Sequence, residues 1–244
     1  MKRFEGQGKH ILALIILLIP VVWFSSQPGM LDGGWLGLST RGWFWIALVI
    51  PIIHQFGSML FWRLELYGKH LTRLLGEHAF TAFKAFFFPG LIGRPISVLA
   101  LALADRNSAS VTRWFLNSIA LIMLPILIYL FYSIVRYFGI ERAAGADHFL
   151  EEYRTKPLVV QGIYRYLPNA MYVVGFFVIW IPALLLASRA ALLISAFQHA
   201  LIWAHYLYTE KPDMGYIYGN RLDDQVPSEL TNESGGLTQK REGE

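Results

Sequence analysis

Residues 114–138 read WFLNSIALIMLPILIYLFYSIVRYF, and no charged side chain interrupts them before Arg136. A helix needs roughly 20 mostly apolar residues to cross a hydrocarbon layer about 30 Å thick. This stretch therefore reads as a membrane span. Four more segments of the same kind flank it: His10–Ser26, Trp43–Trp62, Ala170–Ala187 and Ala190–Tyr208. Composition agrees, since 55% of the 244 residues are hydrophobic, only 16% are charged and the mean hydropathy is +0.43. Soluble domains carry about 25% charged residues, so too little polar surface is present to cover a water-facing globule. The expected fold is an all-α, polytopic membrane helical bundle.

The first span has Lys2, Arg3 and Lys9 ahead of its apolar core, as a signal peptide would. No small-x-small cleavage site follows, and it reads as a retained anchor. A sixth segment, Ala79–Ala104, is long enough to cross but carries Lys84, Pro89-Gly90 and Gly93-Arg94-Pro95. Proline removes a backbone donor and clashes with the preceding turn, so the expectation is a kinked span or a re-entrant element. Arg94, near mid-depth, should face protein or water.

With six crossings the cations sort, fifteen to one side and four to the other, and Lys84 and Arg94 fall within a span. The positive-inside rule puts both termini and the 139–165 segment in the cytoplasm, of either the endoplasmic reticulum or a bacterial inner membrane. Tryptophans 35, 43, 45, 62 and 114 cluster near span ends, as interfacial anchors do. The net charge of +4 lies between apolar blocks, which suits anionic lipid and argues against nucleic acid. The chain divides into an N-terminal bundle (1–138), a linker with a helical hairpin (139–219) and a polar tail (220–244) read as disordered.

Chemistry concentrates in residues 141–219. A polar link, ERAAGADHFLEEYRTKPLVVQGIYRYLPNAMY, leads into a hairpin that turns at Ala187-Ser188-Arg189 and returns through HYLYTEKPDMGYIYG. Hairpin geometry brings both polar, aromatic motifs to one membrane face. At helical spacing His199, Trp203, Tyr206 and Glu210 share one stripe. Tyr164, Tyr166 and Tyr172 are expected opposite it, with Asn169 nearby and with Gly162 and Gly175 permitting close backbone approach. Rings, a carboxylate and small residues suit an adenosine-bearing cation. An ordinary aromatic belt at the interface reads the same way. The absence of cysteine removes thiol chemistry and thiolate metal sites. No metal-ligand spacing and no glycine-rich phosphate loop stand in the sequence.

The pair LVVQGIYRYLPNAMYVVGF and HYLYTEKPDMGYIYG resembles the C-terminal half of the membrane-embedded phospholipid methyltransferases. It is closest to the phosphatidylethanolamine N-methyltransferases, within the wider group that includes isoprenylcysteine carboxyl methyltransferases. Gly162, Tyr164, Arg165, Tyr166, Asn169, Met171, Tyr172 and Gly175 carry the first motif. His205, Glu210, Pro212, Met214, Tyr218 and Gly219 carry the second. Ala170 stands where the family usually has proline, and Lys211 replaces a second acidic residue. The resemblance implies S-adenosylmethionine held by Gly162, Tyr164, Asn169, Met171, Tyr172, Gly175, Tyr206 and Glu210. It also implies methyl transfer to the amine of a membrane phospholipid, with Glu210 or His205 taking the proton and Arg165 or Arg94 pairing with the phosphate. A prenylcysteine carboxylate or small thiol as acceptor, and a non-catalytic scaffold of the same fold, are the competing readings.

Overall fold

A computed structural model describes residues 4–219; the expectations on Lys2, Arg3 and the tail from Asn220 lie outside them. Helix α1 (Gln7–Ser25) crosses first, and a two-stranded hairpin, β1 (Gly34–Trp35) with β2 (Leu38–Ser39), reverses the chain. Leu36 and Gly37 take the positive φ values of 49° and 78° that such a tight turn demands. Ser39 then caps α2 (Thr40–Leu66) by accepting from the Gly42 amide at 3.2 Å. A short α3 (His70–Leu75) leads to α4 (Ala79–Ala104), and α5 (Arg113–Ser133) follows, extended by a π-helical turn over Ile134–Phe138.

The protein is a polytopic helical membrane bundle. Among the described residues five helical runs are long and apolar enough to cross: Gln7–Ser25, Thr40–Leu66, His70–Ala104, Arg113–Phe138 and Arg189–Tyr218. Their outward faces carry large apolar side chains, such as Ile15, Ile19, Trp23, Leu121 and Ile122, that are more than half exposed, as side chains that face lipid are. The interior is packed by Phe44, Leu48, Val98, Leu101, Ile194 and Leu201 together with Ala47, Ala102, Ala183, Ala190 and Ala191. Small residues of this kind let membrane helices approach closely.

The two irregular segments resolve differently. Of the two readings of 79–104 the span holds and the re-entrant element does not: α4 runs unbroken through Pro89 and Pro95. Neighbouring helices and side chains can satisfy the groups a proline frees inside a bundle. The fifth expected span, Ala170–Ala187, is instead a short broken element, α9 (Ala170–Val173) and α10 (Phe177–Leu185), interrupted around Gly175. The run 170–185 is shorter than the other apolar helices, yet the segment extends the length of α5: the Ile163 amide is tied to Ser133 at one end, and the Asn107 and Ala109 amides donate to the Leu186 and Ala187 carbonyls at the other, each at 2.8 Å.

The link 139–169 is not a solvated tether. It folds into α6 (Ile140–Ala143), α7 (Ala146–Phe149) and α8 (Glu151–Arg154), and it buries Arg142, Asp147 and His148 against the bundle. At the far end, Ser188 caps α11 (Arg189–His205), and Asp105 accepts from the Ser188 hydroxyl at 2.7 Å and the Ala190 amide at 2.9 Å. A second π-helical turn, Tyr206–Glu210, joins α11 to α12 (Lys211–Tyr218).

Candidate functional site

The break between α9 and α10 shapes the site. An unbroken helix would close the Tyr172 carbonyl onto the amide four residues on. Here the chain turns at Gly175, and that carbonyl accepts from His199 Nε2 at 2.8 Å. Trp180 Nε1 donates to His199 Nδ1 at 3.1 Å. An indole nitrogen is a donor only, so Nδ1 holds the lone pair, and His199 is a neutral ring with its proton on Nε2. It clamps backbone and has no lone pair left for a reacting group.

Four residues of the α11 stripe converge on Tyr172. His199 holds its carbonyl. Trp203 and Tyr206 lie with ring centroids 6.0 and 4.8 Å from the Tyr172 ring, and Trp203 and Tyr206 meet edge to face at 5.7 Å. The Tyr172 hydroxyl donates to Glu210 Oε2. Three aromatic rings and one carboxylate thus form a half-buried cluster where the chain passes from α11 into the π turn. Such turns recur at functional sites because the extra residue frees backbone groups and re-aims side chains.

The freed backbone of that turn is held by a second polar network. Arg63, at the end of α2, donates to the Tyr208 and Thr209 carbonyls at 3.2 and 3.4 Å and to the Glu5 carbonyl at 2.6 Å. Its Nε lies 3.3 Å from Asp213 Oδ2. Tyr67 donates to the other Asp213 oxygen at 3.0 Å, and Gln7 reaches Tyr208 O and Thr209 Oγ1. His148 sits between Asp147 at 3.5 Å and Asp213 at 3.7 Å, which are ion-pair separations rather than short hydrogen bonds. Trp62 stacks on its ring at 4.5 Å. Tyr218 donates to Asp147 at 2.8 Å and accepts from Arg142 at 3.1 Å. Burial opposes charge on His148, but Asp147 and Asp213 outweigh it and lift its pKa to about 9. Burial likewise opposes charge on Asp147, and His148, Tyr218 and Arg142 hold its carboxyl below the usual range.

The remaining expected residues divide. Gly162 has φ +61°, and a Cβ there would lie 2.6 Å from Ser133 Oγ, so the close approach it allows is to α5. Ser133 accepts from the Ile163 amide at 3.0 Å and fixes that motif to the bundle. Tyr164 is buried against Phe138 at 5.1 Å, and burial pushes its phenol pKa up. Tyr166 is 74% exposed, so the expected trio of tyrosines does not assemble, and Tyr172 alone meets the stripe. Asn169 is half-buried one turn before Tyr172 and makes no hydrogen bond to Glu210 among the described residues. Met171 packs with Leu130 and Val174. Arg165 is exposed. His205 turns the other way, toward α1 and α2, with its ring 5.5 Å from those of His10 and Trp62. Arg94 is buried in mid-helix.

Arg63, Trp62, Asp147, His148 and Asp213 were not singled out as site residues by sequence reasoning. Their one signal was the presence of titratable groups beside apolar spans, and their partners lie too far along the chain for spacing to pair them.

Fold and site define a polytopic helical membrane protein with an aromatic, carboxylate-bearing cluster where α11 passes into the π turn. Residues 115–221 match the model of the phospholipid methyltransferase family. A phosphatidylethanolamine N-methyltransferase of Botryotinia fuckeliana is 37% identical over 69 residues, 28% of this chain and 7% of that protein. Those of Sordaria macrospora and Neurospora crassa are each 38% identical over 80 residues, 33% of this chain and 8% of theirs. The matches thus span less than a tenth of the length of these curated relatives. No solved structure matches the chain.

Proposed function

We propose that the protein is an S-adenosylmethionine-dependent methyltransferase that methylates the head-group amine of a membrane phospholipid, phosphatidylethanolamine or its methylated derivatives. The observation that carries this reading is the convergence of Tyr172, Trp203, Tyr206 and Glu210 inside the family-matched segment. These residues fit a cationic nucleoside: ring faces attract a sulfonium, and the carboxylate complements its positive charge or accepts from ribose hydroxyls. When bound, the methyl donor supplies an electrophilic methyl group.

The chain's own part is positioning and proton management. Holding two reactants in near-attack geometry supplies about 7–11 kcal/mol. Tyr172 fixes one oxygen of Glu210, which leaves Oε1 to take the proton from an ammonium whose unperturbed pKa is about 10. The amine must lose that proton before its lone pair can attack. His205 faces away from Tyr172, so Glu210 carries the base role. Asn169 lies one turn before Tyr172, the break at Gly175 aims the Tyr172 carbonyl at His199, and Gly162, Tyr164 and Met171, which pack toward α5, would act by holding the first motif in place. Arg165, which is exposed, would pair with the lipid phosphate.

The family-matched hairpin, residues 139–219, acts as the catalytic unit, and residues 1–138 form the membrane bundle that admits the acceptor. By charge placement the cluster and both termini face the cytoplasm, in the endoplasmic reticulum or a bacterial inner membrane. The test is incubation of purified protein with methyl-labelled S-adenosylmethionine and phosphatidylethanolamine vesicles. Label in the phospholipid supports the reading. Label in a prenylcysteine ester or a thioether moves the acceptor, and binding without transfer to any acceptor points to a scaffold.

A further inference from the structure

Arg94 is 4% exposed in the middle of α4 and carries a formal positive charge inside a membrane-spanning helix. Its Nε donates to Gln198 Oε1 at 3.0 Å, and its guanidinium carbon lies 4.8 Å from the Phe176 ring. Gln198 cannot supply charge, and its amide nitrogen is already committed to the Ala47 carbonyl at 3.0 Å. Arg94 Nη2 is buried without a hydrogen-bond partner. Among the described residues no carboxylate pairs with Arg94, although Arg63, buried to the same degree, has Asp213.

The surroundings repeat the pattern. His54, His199 and His205 lie within electrostatic range of Arg94. Both nitrogens of His199 are engaged, but His54 has both ring nitrogens buried and unpartnered, and His205 Nδ1 is in the same condition. His54 is fixed in place by the Phe87 ring at 4.9 Å and by Gly90, where a side chain would collide with it. On the same stretch of α2, the Gln55 amide and the Ser58 hydroxyl are also buried and unpartnered. Buried polar groups are normally hydrogen-bonded, and a charge within a span is normally paired. Water would answer the hydrogen bonds of this cluster but not the missing negative charge.

We infer that Arg94, with His54 and His205, forms a buried anion site that takes an oxygen-rich monoanion, a phosphodiester or a carboxylate. Gln198 and Glu210 are twelve residues apart on one helical run, about 18 Å at 1.5 Å per residue. The anion site thus lies about three turns along this run from Glu210. The inference rests on the methyltransferase reading for the identity of the ligand. Under that reading two anionic groups come from outside the chain, the phosphodiester of the acceptor lipid and the amino-acid carboxylate of the methyl donor.

Calorimetry in detergent separates these sources. S-adenosylhomocysteine, 5′-methylthioadenosine (which lacks the carboxylate) and dihexanoyl phosphatidylglycerol (a phosphodiester without an amine) are titrated into wild type, Arg94→Gln and Arg94→Lys. A carboxylate site predicts that S-adenosylhomocysteine loses tenfold or more in affinity in Arg94→Gln, recovers partly in Arg94→Lys, and that methylthioadenosine is unaffected. A phosphodiester site predicts the same pattern for phosphatidylglycerol. Should Arg94→Gln fail to fold, His54→Ala and Ser58→Ala are expected to weaken the same ligand. Affinities of both anions that are indifferent to all these variants, or absent in wild type, overturn the site. Phosphatidylglycerol binding that depends on Arg94 in a protein that methylates nothing keeps the site and rejects the methyltransferase reading. Normal methylation with ligand affinities independent of Arg94 does the reverse.

Discussion

Arg63 and Arg94 are the same side chain in the same kind of place, each on a long apolar helix and each nearly inaccessible. Their surroundings differ completely. Arg63 has a carboxylate and three backbone carbonyls, all supplied by the chain. Arg94 has one neutral amide and one ring. Removing one partner of a buried ion pair strands the other charge, whereas removing a charge that has no partner relieves a cost. The first arginine therefore belongs to the fold and the second to a ligand.

That contrast yields its largest expected effect in stability. Arg63→Met leaves Asp213 buried without its guanidinium and should cost about 3–5 kcal/mol, read as a lowered unfolding midpoint in detergent. Arg94→Met should unfold at or above the wild-type midpoint under the same conditions. Equal losses in both variants would erase the distinction.

Next in size is the aromatic cluster itself. Glu210→Gln keeps the shape and removes the base, so turnover should fall by about 10²–10⁴ in a methyl-transfer assay. Tyr172→Phe, which removes only the hydroxyl that fixes Glu210, should lose less.

A third effect comes from pH and belongs to the Arg63 side of the molecule. The folded pKa of His148, about 9, lies above its unfolded value of 6.5. Its contribution to stability is then fully present below about pH 6.5 and is lost as pH rises through about 9. Unfolding midpoints measured from pH 6 to pH 10 should fall across that window, and His148→Asn should flatten the fall. Smaller still is Gly162→Ala, which meets both the positive φ and Ser133 and should cost about 1–3 kcal/mol. Smallest is Lys84→Met, which breaks a half-exposed pair with Glu141 at 2.7 Å and should shift stability by less than about 1 kcal/mol.

Much of this was legible in the sequence where the information is local. The apolar runs give the membrane bundle, the 199–203–206–210 spacing gives the stripe, and Ser188 marks the hairpin turn and caps the helix that follows it. What was not legible is what depends on distant partners. Pro89 and Pro95 read as breaks because nothing nearby says that the bundle will accommodate them. Gly175 was read for close approach, yet its consequence is a broken helix whose released carbonyl meets His199, 27 residues away. Asp147 and His148 read as parts of a polar link because the groups that bury and pair them, Trp62, Arg142, Asp213 and Tyr218, lie on other elements. His205 carried the family motif but not its direction, and the direction assigns it to the Arg94 side.

Tyr172, Trp203, Tyr206 and Glu210 are expected to hold the cationic nucleoside together, and calorimetric titration of S-adenosylmethionine, without acceptor lipid, into wild type, Trp203→Ala and Glu210→Gln reads this out. Saturable binding to wild type and a loss of about tenfold or more in each variant, about 1.4 kcal/mol, is the expected result. Unchanged affinity in both variants refutes it.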